Sequence, residues 1–404
     1  MIKLGECLTI KHGWAFKGEF FAESGEQSIL TPGNFYEAGG FKYNDERERY
    51  YTGEYPHEYL CKKGDLIVAM TEQAAGLLGS TAIVPKDNRY LHNQRIGLIT
   101  CDEKHITKMF AYYLFMTKSV REQISRTSSG TKVKHTSPEK IYDVEVSLPD
   151  IPTQKKIAHF LWTIDCKIRN NIQINDNLQH QLKLLYDYWF TQFDFPDENG
   201  KPYRASGGAM VWNEQLRKEL PKDWSVTTVG DITVCHDSKR IPVSNVEREK
   251  MKGNIPYYGA TGIMGYVNRA IFSGDYVLLA EDGSVMDKNG NPIIQRVSGD
   301  VWINNHAHVL QPTGKYSCRL LMMILKDIPV TNIKTGSIQL KINQKNLNSY
   351  KILNIPNNII EKINQVFIPI DQQLIAIQKE VEYLSALRDW LLPMLMNGQA
   401  TISD

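Results

Sequence analysis

The chain lacks the marks of a secreted or membrane protein. Its six cysteines, scattered through 404 residues, include no C-x-x-C pair, so neither a disulfide framework nor a zinc knuckle is expected and the thiols should be reduced. There is no run of about 18 apolar residues, and residues 1–10 lack the apolar core of a signal peptide. These absences predict a cytoplasmic protein.

Excess charge of one sign is also missing. The formal net charge is +2, and the apolar and charged fractions of 42% and 23% are ordinary for a soluble globular protein. Near-neutrality argues against a nonspecific polyanion coat. It leaves room for DNA binding through local basic loops, because acidic faces elsewhere balance the total.

Catalytic motifs of nucleic-acid enzymes are absent as well. The run Ile255-Pro256-Tyr257-Tyr258 lacks the second proline and the amide of a base-holding methyltransferase loop. Gly259, Gly262 and Gly265 have the wrong spacing for a dinucleotide-type turn. There is no Gly-Lys-Ser/Thr phosphate loop and no Pro-Asp with a following Glu-x-Lys cluster. We therefore expect no catalytic residue, no bound cofactor and no metal site. His306-x-His308 would place two rings on one strand face, but no third ligand is evident.

What the chain does contain is a long internal repeat. Each copy has a variable block, a Gly-bearing polar loop, an aliphatic-Pro pair and a long helix pattern carrying Ile-Asp. These features are Ser129–Lys132, Leu148-Pro149 and Ile164-Asp165 in the first copy, and Thr335–Ile338, Ile355-Pro356 and Ile370-Asp371 in the second. Two copies in one chain imply two equivalent surfaces related by an approximate two-fold axis.

Both long helix patterns repeat every 3.5 residues, which is typical of helices that pair along a narrow stripe. The stripe residues are Ile157, Leu161, Ile164, Ile168, Leu178, Leu182, Leu185 and Trp189 in the first copy, and Ile363, Phe367, Ile370, Leu374, Ile377, Val381, Leu384, Leu391 and Leu395 in the second. We expect antiparallel pairing of rods about 50 Å long, at ~1.5 Å per residue. Each stripe could instead lie on its own domain's core.

Polar residues interrupt both stripes. Asn171 and Asn175 occupy seam positions in the first copy, and Arg388 does so in the second. A polar seam residue lowers stability but can fix register. The two asparagines could equally face solvent at a local irregularity.

Short β-rich runs dominate the variable blocks, with helical segments only late in each block. The predicted fold class is α+β: two β-rich α+β domains separated by two long helices that form an intramolecular antiparallel coiled coil with pseudo-two-fold symmetry. The expected segments are a first domain at 1–149, a spacer helix at 150–195, a connector at 196–219, a second domain at 220–355, a second spacer helix at 356–398 and a tail at 399–404.

In this order the motifs resemble the specificity subunit of Type I restriction-modification systems. The shared runs are His12–Lys17, Thr31–Asn34, Lys63–Ile67, Leu220–Trp224, Val229–Asp231, Ile255–Gly262 and Leu391–Leu395 with Gly398. The resemblance spans essentially the whole chain. It implies two target-recognition domains that read a bipartite, asymmetric DNA site, and helical spacers that bind two methyltransferase subunits holding S-adenosylmethionine. Restriction-translocase subunits would join for cleavage, and no membrane is involved.

The two polar loops are the candidate phosphate contacts, since glycine admits backbone N–H groups, hydroxyls donate and lysines neutralise charge. An isolated loop of this kind would more often be a solvated turn, but its recurrence favours phosphate contact. The residues are Ser129, Gly130, Thr131, Lys132 and Lys134 in the first copy, and Lys334, Thr335, Gly336, Ser337 and Lys341 in the second.

Candidate base contacts lie elsewhere in the blocks. Amides suit adenine, arginine suits guanine and carboxylates suit cytosine, while aromatics could stack on DNA or fill the domain cores. The candidates for base reading or stacking are Trp14, Asn34, Tyr36, Asn93, Gln94 and Arg95, and then Tyr257, Tyr258, Glu281, Asp282, Asn304, Asn305 and His306. Lys11, His12, Lys17 and Thr261 are further candidate DNA contacts. Asn93 and Asn305 precede matching strands, so a shared turn role is an equal alternative.

The leading hypothesis is thus a non-catalytic DNA-recognition subunit. The alternative is a coiled-coil scaffold whose β-rich heads bind protein or glycan. Steep loss of affinity with rising salt would distinguish the first from the second.

Overall fold

A computed structural model describes residues 1–43, 48–72, 76–130, 133–336 and 340–402. The chain forms two compact units: unit 1 comprises residues 1–170 and 381–404, and unit 2 comprises residues 171–380. Each unit holds one variable block and a segment of both long helices. Each unit therefore combines segments that are remote from one another in the chain.

Unit 1 is mostly short strands followed by helices. In chain order its elements are β1 (Ile2–Lys3), β2 (Leu8–His12), β3 (Phe21–Ala22), β4 (Ser28–Ile29), β5 (Tyr50–Tyr51), β6 (Leu66–Ala69), β7 (Thr71–Glu72), β8 (Thr81–Ile83), β9 (Tyr90–Leu91), β10 (Ile96–Cys101), α1 (Lys108–Leu114), α2 (Lys118–Thr127), β11 (Lys134–His135), α3 (Pro138–Tyr142), β12 (Glu145–Val146) and the first part of α4 (Ile151–Tyr186).

The central sheet of unit 1 has the strand order β2-β10-β6-β8. Strand β6 lies inside this sheet, between β10 and β8, because all four of its residues are apolar and buried. Leu66 and Val68 face the core under α1 and α2, whereas Ile67 and Ala69 face a second core on the other side. The period-2 alternation thus lets one strand serve two apolar layers. A smaller sheet, β3-β5-β4-β9, lies beside it in the same unit.

Unit 2 repeats this plan with longer strands. Its elements are the rest of α4, then β13 (Met210–Asn213), β14 (Lys218–Pro221), β15 (Ser225–Thr228), β16 (Thr233–Cys235), α5 (Asn245–Lys250), β17 (Ile255–Tyr258), β18 (Ile263–Val267), β19 (Phe272–Ala280), β20 (Ile294–Ile303), β21 (Ala307–Pro312), α6 (Cys318–Lys326), β22 (Lys334–Thr335), β23 (Lys341–Ile342), α7 (Gln344–Asn348), β24 (Lys351–Asn354) and the first part of α8 (Asn357–Met396).

The main sheet of unit 2 has the order β16-β21-β19-β20-β17-β18. Along β19, Val277 and Leu279 join the core beneath α6, while Tyr276 and Leu278 join the opposite core. Directly before each long helix, an antiparallel pair closes the block: β1 with β12 in unit 1, and β15 with β24 in unit 2. The predicted α+β class and the repeat are confirmed.

The long helices run antiparallel within each unit. In unit 1, Ile157 shares a core with Leu395, and Asp165, further along α4, pairs with Arg388, earlier in α8. In unit 2, Asn171 bonds to Glu380. Residue numbers therefore increase along one helix while those of the contacting residues decrease along the other. Trp189 lies beyond α4, in a turn of π-helix at Asp187–Thr191. In the part of the chain that the structure describes, no helix has the length and apolarity to cross a membrane.

Every predicted stripe residue is buried or half-buried. In unit 2, however, Leu182 and Trp189 belong to the same core as Leu321 of α6. This end of the first stripe thus packs on the core of the second block, whereas Ile157 and Leu161 pack on the core of the first block. Helix pairing and domain-core packing therefore both apply, along different stretches.

The polar seam residues have defined partners. Asn171 is 2% exposed, and its Nδ2 donates to Glu380 Oε2 at 2.7 Å. This is the geometry of a register-fixing pair. Asn175 is half-buried and bonds only weakly to its neighbour Asp176, at 3.4 Å, so the two asparagines differ in role.

The Ile-Asp motif anchors each long helix to the rest of its unit. In unit 1, buried Asp165 accepts a hydrogen bond from the Tyr113 hydroxyl of α1 at 2.7 Å and pairs with Arg388 at 3.0 Å. Arg388 therefore supplies the counter-charge of a buried carboxylate and does not merely interrupt the stripe. Burial first, and then Asp165, raise the pKa of Tyr113, which stays a donor.

The second copy uses different partners for the same purpose. Asp371 of α8 receives Arg319 of α6 at 2.6 Å and Arg296 of β20 at 3.0 Å. Both motif aspartates are less than 10% exposed. A carboxylate at this depth persists because it is fully paired.

Candidate nucleic-acid interface

The same polar turn precedes a core strand in both units. In unit 1, Asn93 Oδ1 accepts the backbone N–H of Arg95 at 2.9 Å. In unit 2, Asn304 Oδ1 accepts that of His306, also at 2.9 Å. Asparagine favours this local bond two residues onward. The structural match of Asn93 is therefore Asn304, one residue before the Asn305 that the sequence suggested.

Each turn is held from a second side by an aromatic segment. The Trp14 N–H donates to the carbonyl of His92 at 2.8 Å, and the Gln94 N–H donates back to Trp14 at 3.1 Å. In unit 2, the Asn304 N–H donates to the carbonyl of Tyr258 at 3.0 Å. The early aromatic motifs of the two copies thus frame the turns.

In each unit, one residue at a strand end bonds both to the polar turn and to the segment that follows the glycine-bearing loop. In unit 1, the Met70 N–H donates to Arg95 O at 2.9 Å, and the Thr136 N–H donates to Met70 O at 2.9 Å. In unit 2, Glu281 occupies the equivalent position between His306 and Ile342, at 2.8 Å on each side. Turn, strand end and loop therefore form one constellation, which occurs once in each unit. We call it the reading edge.

The loop of unit 1 is closed by two backbone hydrogen bonds between Ser129 and His135, of 2.9 and 2.8 Å. Gly130 has a φ of +99°, and a Cβ there would lie 2.0 Å from the carbonyl oxygen of Val133. Glycine is thus required on both counts. Ser129 and Gly130 are exposed. The predicted contacts Thr131 and Lys132 lie outside the described residues.

The predicted phosphate contact Lys134 is paired with a buried acid. Its Nζ lies 4.0 Å from Glu72 and 3.4 Å from Ser125 Oγ. The other oxygen of Glu72 accepts the N–H groups of Leu77 and Leu78, at 2.9 and 2.7 Å. Glu72 thus orders the turn that follows it and holds Lys134 at the loop.

In the loop of unit 2, Lys334, Thr335 and Gly336 are exposed. The Thr335 hydroxyl donates to Lys341 O at 3.1 Å, and Lys341 Nζ lies 3.0 Å from Glu281 Oε1. Ser337, also a predicted contact, falls outside the described residues. Both loops therefore carry a lysine paired to an acid on the neighbouring strand end.

Several predicted base contacts have internal roles instead. Asn34 is 8% exposed, and its Oδ1 accepts the Thr31 N–H at 2.8 Å. Tyr257 and Asn304 are 2% and 3% exposed. Because their polar atoms serve the domain, these residues shape the reading edge and are poorly placed to touch bases.

Two predicted acids are also occupied. Glu281 lies between Arg240, at 2.6 Å, and Lys341. Burial raises the pKa of Glu281, but its bonds to Arg240 and Lys341 outweigh this and hold the pKa below its usual value. Asp282 pairs with His306 Nδ1 at 2.6 Å. Neither carboxylate is free to accept from cytosine without giving up a partner.

A cluster that the sequence did not reveal lies behind this edge. Cys235, Asp237 and His308 present ligand-type atoms within 4.8 Å of one another. His308 Nδ1 lies 2.5 Å from Asp237, its Nε2 donates to Ile342 O at 2.8 Å, and burial raises the pKa of Cys235 to about 12. With both ring nitrogens engaged and the thiol protonated, the set works as a hydrogen-bonded core. No local motif could indicate it, since His308 is 71 residues from Asp237 along the chain.

The remaining predicted contacts are on the surface. In unit 1, Trp14 is 41% exposed and Tyr36 52% exposed, and His12 and Lys17 are exposed. Lys11 is paired with Glu58 at 3.0 Å and lies over the Tyr59 ring.

In unit 2, Thr261, Asn305 and His306 are exposed, and Tyr258 is half-buried. The exposed side chains flank each reading edge with donors and aromatic faces, a mixture suited to phosphate and base contact.

Comparison with solved structures identifies the architecture. The crystal structure of a Type I restriction-modification system S subunit from M. genitalium matches with a TM-score of 0.62 at 17% identity, covering 99% of this chain and 96% of that chain. The two proteins share a fold.

Comparison of sequences identifies the family. The model of the Type I restriction modification DNA specificity domain matches residues 1–180 and 221–383. The chain therefore belongs to the family of Type I restriction-modification DNA specificity proteins, and the resemblance drawn from the sequence motifs is confirmed.

Named relatives agree. The Type I restriction enzyme MjaIX specificity subunit of Methanocaldococcus jannaschii is 27% identical over 319 residues, covering 74% of this chain and 70% of the relative. The HindI specificity subunit of Haemophilus influenzae is 20% identical over 406 residues, covering 84% and 87%.

Proposed function

We propose that this chain is the cytoplasmic, non-catalytic DNA-recognition subunit of a Type I restriction-modification complex, and that each reading edge contacts one half of a split, asymmetric site. The carrying observation is the reading edge itself. Its backbone is repeated in both units, from Asn93 to Thr136 and from Asn304 to Ile342. Its exposed side chains differ between them, so the two half-sites should differ in sequence.

The long helices are the proposed docking surfaces for two methyltransferase subunits. Beyond the buried stripes they expose several large apolar side chains, and apolar surface of this kind marks an interaction site where it forms a patch. These are Phe160, Ile172, Ile174, Leu184 and Tyr188 in the first long-helix stretch and Val366, Ile368, Tyr383 and Trp390 in the second, each between 37% and 66% exposed. S-adenosylmethionine would be held by those partners, and restriction-translocase subunits would join the assembled complex.

The test is selection of DNA by the assembled complex. We expect the chain with its methyltransferase partner to enrich a two-part motif with a fixed internal gap from a random library. Affinity should fall steeply as salt rises, because phosphate contacts release counterions. A one-part motif, or no motif, would contradict the proposal.

Replacing Trp390 by Ser tests the docking surface, and Trp212→Ser on β13, away from the long helices, is the matched control. Trp390 is 60% and Trp212 56% exposed. Trp390→Ser should weaken assembly with the methyltransferase more than the control does, as measured by analytical ultracentrifugation. Binding to a non-DNA ligand with little salt dependence would favour the scaffold alternative.

A further inference from the structure

A cavity opens beside the polar turn of unit 1. It has a volume of about 390 Å³ and is lined by Phe16, Phe21, Ile29, Thr31, Arg49, Asn93, Gln94 and Arg95. Its floor is apolar, because Phe16, Phe21 and Ile29 belong to one small core with Tyr51. Its rim carries the polar side chains of the turn and Arg49.

The rim donors are not used by the domain. Gln94, Arg95 and Arg49 are exposed, and their side chains make no hydrogen bond or ion pair with any residue that the structure describes. By contrast, Arg89 of the same unit bonds to Glu48 and to the carbonyl of Glu26. A guanidinium without a carboxylate partner above an apolar floor is a ready donor for a ligand with paired acceptors.

The backbone beneath these side chains is fixed. Asn93 caps the N–H of Arg95, Gln94 is tied to Trp14, and the carbonyl of Arg95 is bonded to Met70. Only the side chains of Gln94 and Arg95 are left to vary. Such a rigid support reduces the entropy that a contact must overcome.

The two residues that follow the turn asparagine differ between the units. Asn304 caps the N–H of His306 and Glu281 bonds to the carbonyl of His306, as Asn93 and Met70 do for Arg95. The turn is tied to Tyr258 through the Asn304 N–H. Asn305 and His306 therefore take the positions of Gln94 and Arg95. His306 is tied to Asp282 at 2.6 Å, whereas the Arg95 side chain has no described partner. One scaffold thus displays an amide and a planar guanidinium in unit 1, and an amide and a tethered imidazole in unit 2.

We propose that the two residues after the turn asparagine determine base specificity, and that Arg95 reads a guanine of one half-site. This inference rests on the proposed function. A guanidinium pairs bidentately with guanine O6 and N7, the acceptor pair that distinguishes guanine in the major groove. Gln94 can bond to the edge of the adjoining base, since an amide pairs bidentately with adenine.

Base preference of the assembled complex tests the inference. Arg95→Ala should relax the preference at one base pair of one half-site by roughly 5- to 150-fold and leave the other half-site unchanged. Arg95→Lys should lose most of the same preference, because an ammonium cannot form the fork. The unchanged half-site is an internal control for folding and assembly.

A matched control separates base reading from charge. Arg126 is an arginine of α2 in the same unit, and its side chain is 77% exposed. Arg126→Ala should lower affinity evenly across sequences or not at all, with every base preference retained. Retention of the complete wild-type preference by Arg95→Ala would overturn the assignment and leave the proposed function standing. Failure of the wild-type complex to select any sequence would overturn both.

Discussion

At the scale of single residues, neighbouring side chains in the same turn have opposite tasks. His92 is completely buried, and its Nε2 donates to Ile96 O at 2.8 Å. Three residues later, Arg95 is exposed and has no described side-chain partner. The recognition surface thus depends on a histidine that must stay neutral to support it.

This requirement predicts a dependence of stability on pH. Burial is the main cause that lowers the pKa of His92 from 6.5 to about 4. Between these values the unfolded chain binds a proton that the folded chain excludes. The contribution of neutral His92 to the free energy of unfolding is therefore complete above about pH 6.5. As pH falls toward 4, the protein loses about 3 kcal/mol of that free energy.

Urea unfolding at pH 7 and pH 5 measures this loss. His92→Gln can still donate to Ile96 O but cannot titrate, so it should lose less stability than the wild type between the two pH values. Equal losses in both proteins would show that other groups cause the acid sensitivity.

At the scale of elements, the Ile-Asp motif joins a helix to a domain. Asp371 connects α8 to α6 through Arg319 and to β20 through Arg296. Asp165 connects α4 to α1 through Tyr113. The aspartate occurs in both copies, but the residues that bind it differ between the units.

Removing the carboxylate should therefore be costly. Asp371→Ala leaves the buried guanidinium of Arg319 without a carboxylate and leaves Arg296 with Asp275 alone, and we expect unit 2 to lose about 3–5 kcal/mol of unfolding free energy. Glu361→Ala is the control on the same helix, since its ion pair with Lys315 is about half exposed and should be worth at most about 1 kcal/mol. Similar losses in a urea titration would argue against a buried anchor.

At the scale of the whole molecule, the proposed function makes the paired helices a ruler. One heptad inserted into each long helix adds about 10 Å while keeping the faces aligned. The gap between half-sites should then grow by about three base pairs at ~3.4 Å each. Inserting the heptad into one helix alone should disrupt pairing. An unchanged gap in the double insertion would reject the ruler and leave recognition intact.

Much of this architecture could be predicted from local patterns. The 3.5-residue stripes predicted α4 and α8, and strands such as β6 and β19 lie where apolar runs were found. Sequence also placed Asn93, Gln94 and Arg95 among the candidates. It could not separate a buried cap such as Asn34 from an exposed donor, because that difference depends on what packs over the side chain.

The sequence by itself determined the duplication, the α+β class and the family, since periodicity and motif order are properties of neighbouring residues. Tertiary structure alone decided that Arg388 answers Asp165, that Asn304 and not Asn305 matches Asn93, and that Glu281 is held by Arg240. The physical reason is the separation of the interacting residues along the chain. Ion pairs, caps and burial join residues that are remote in the chain, and their energies depend on the surrounding packing, which no local pattern records.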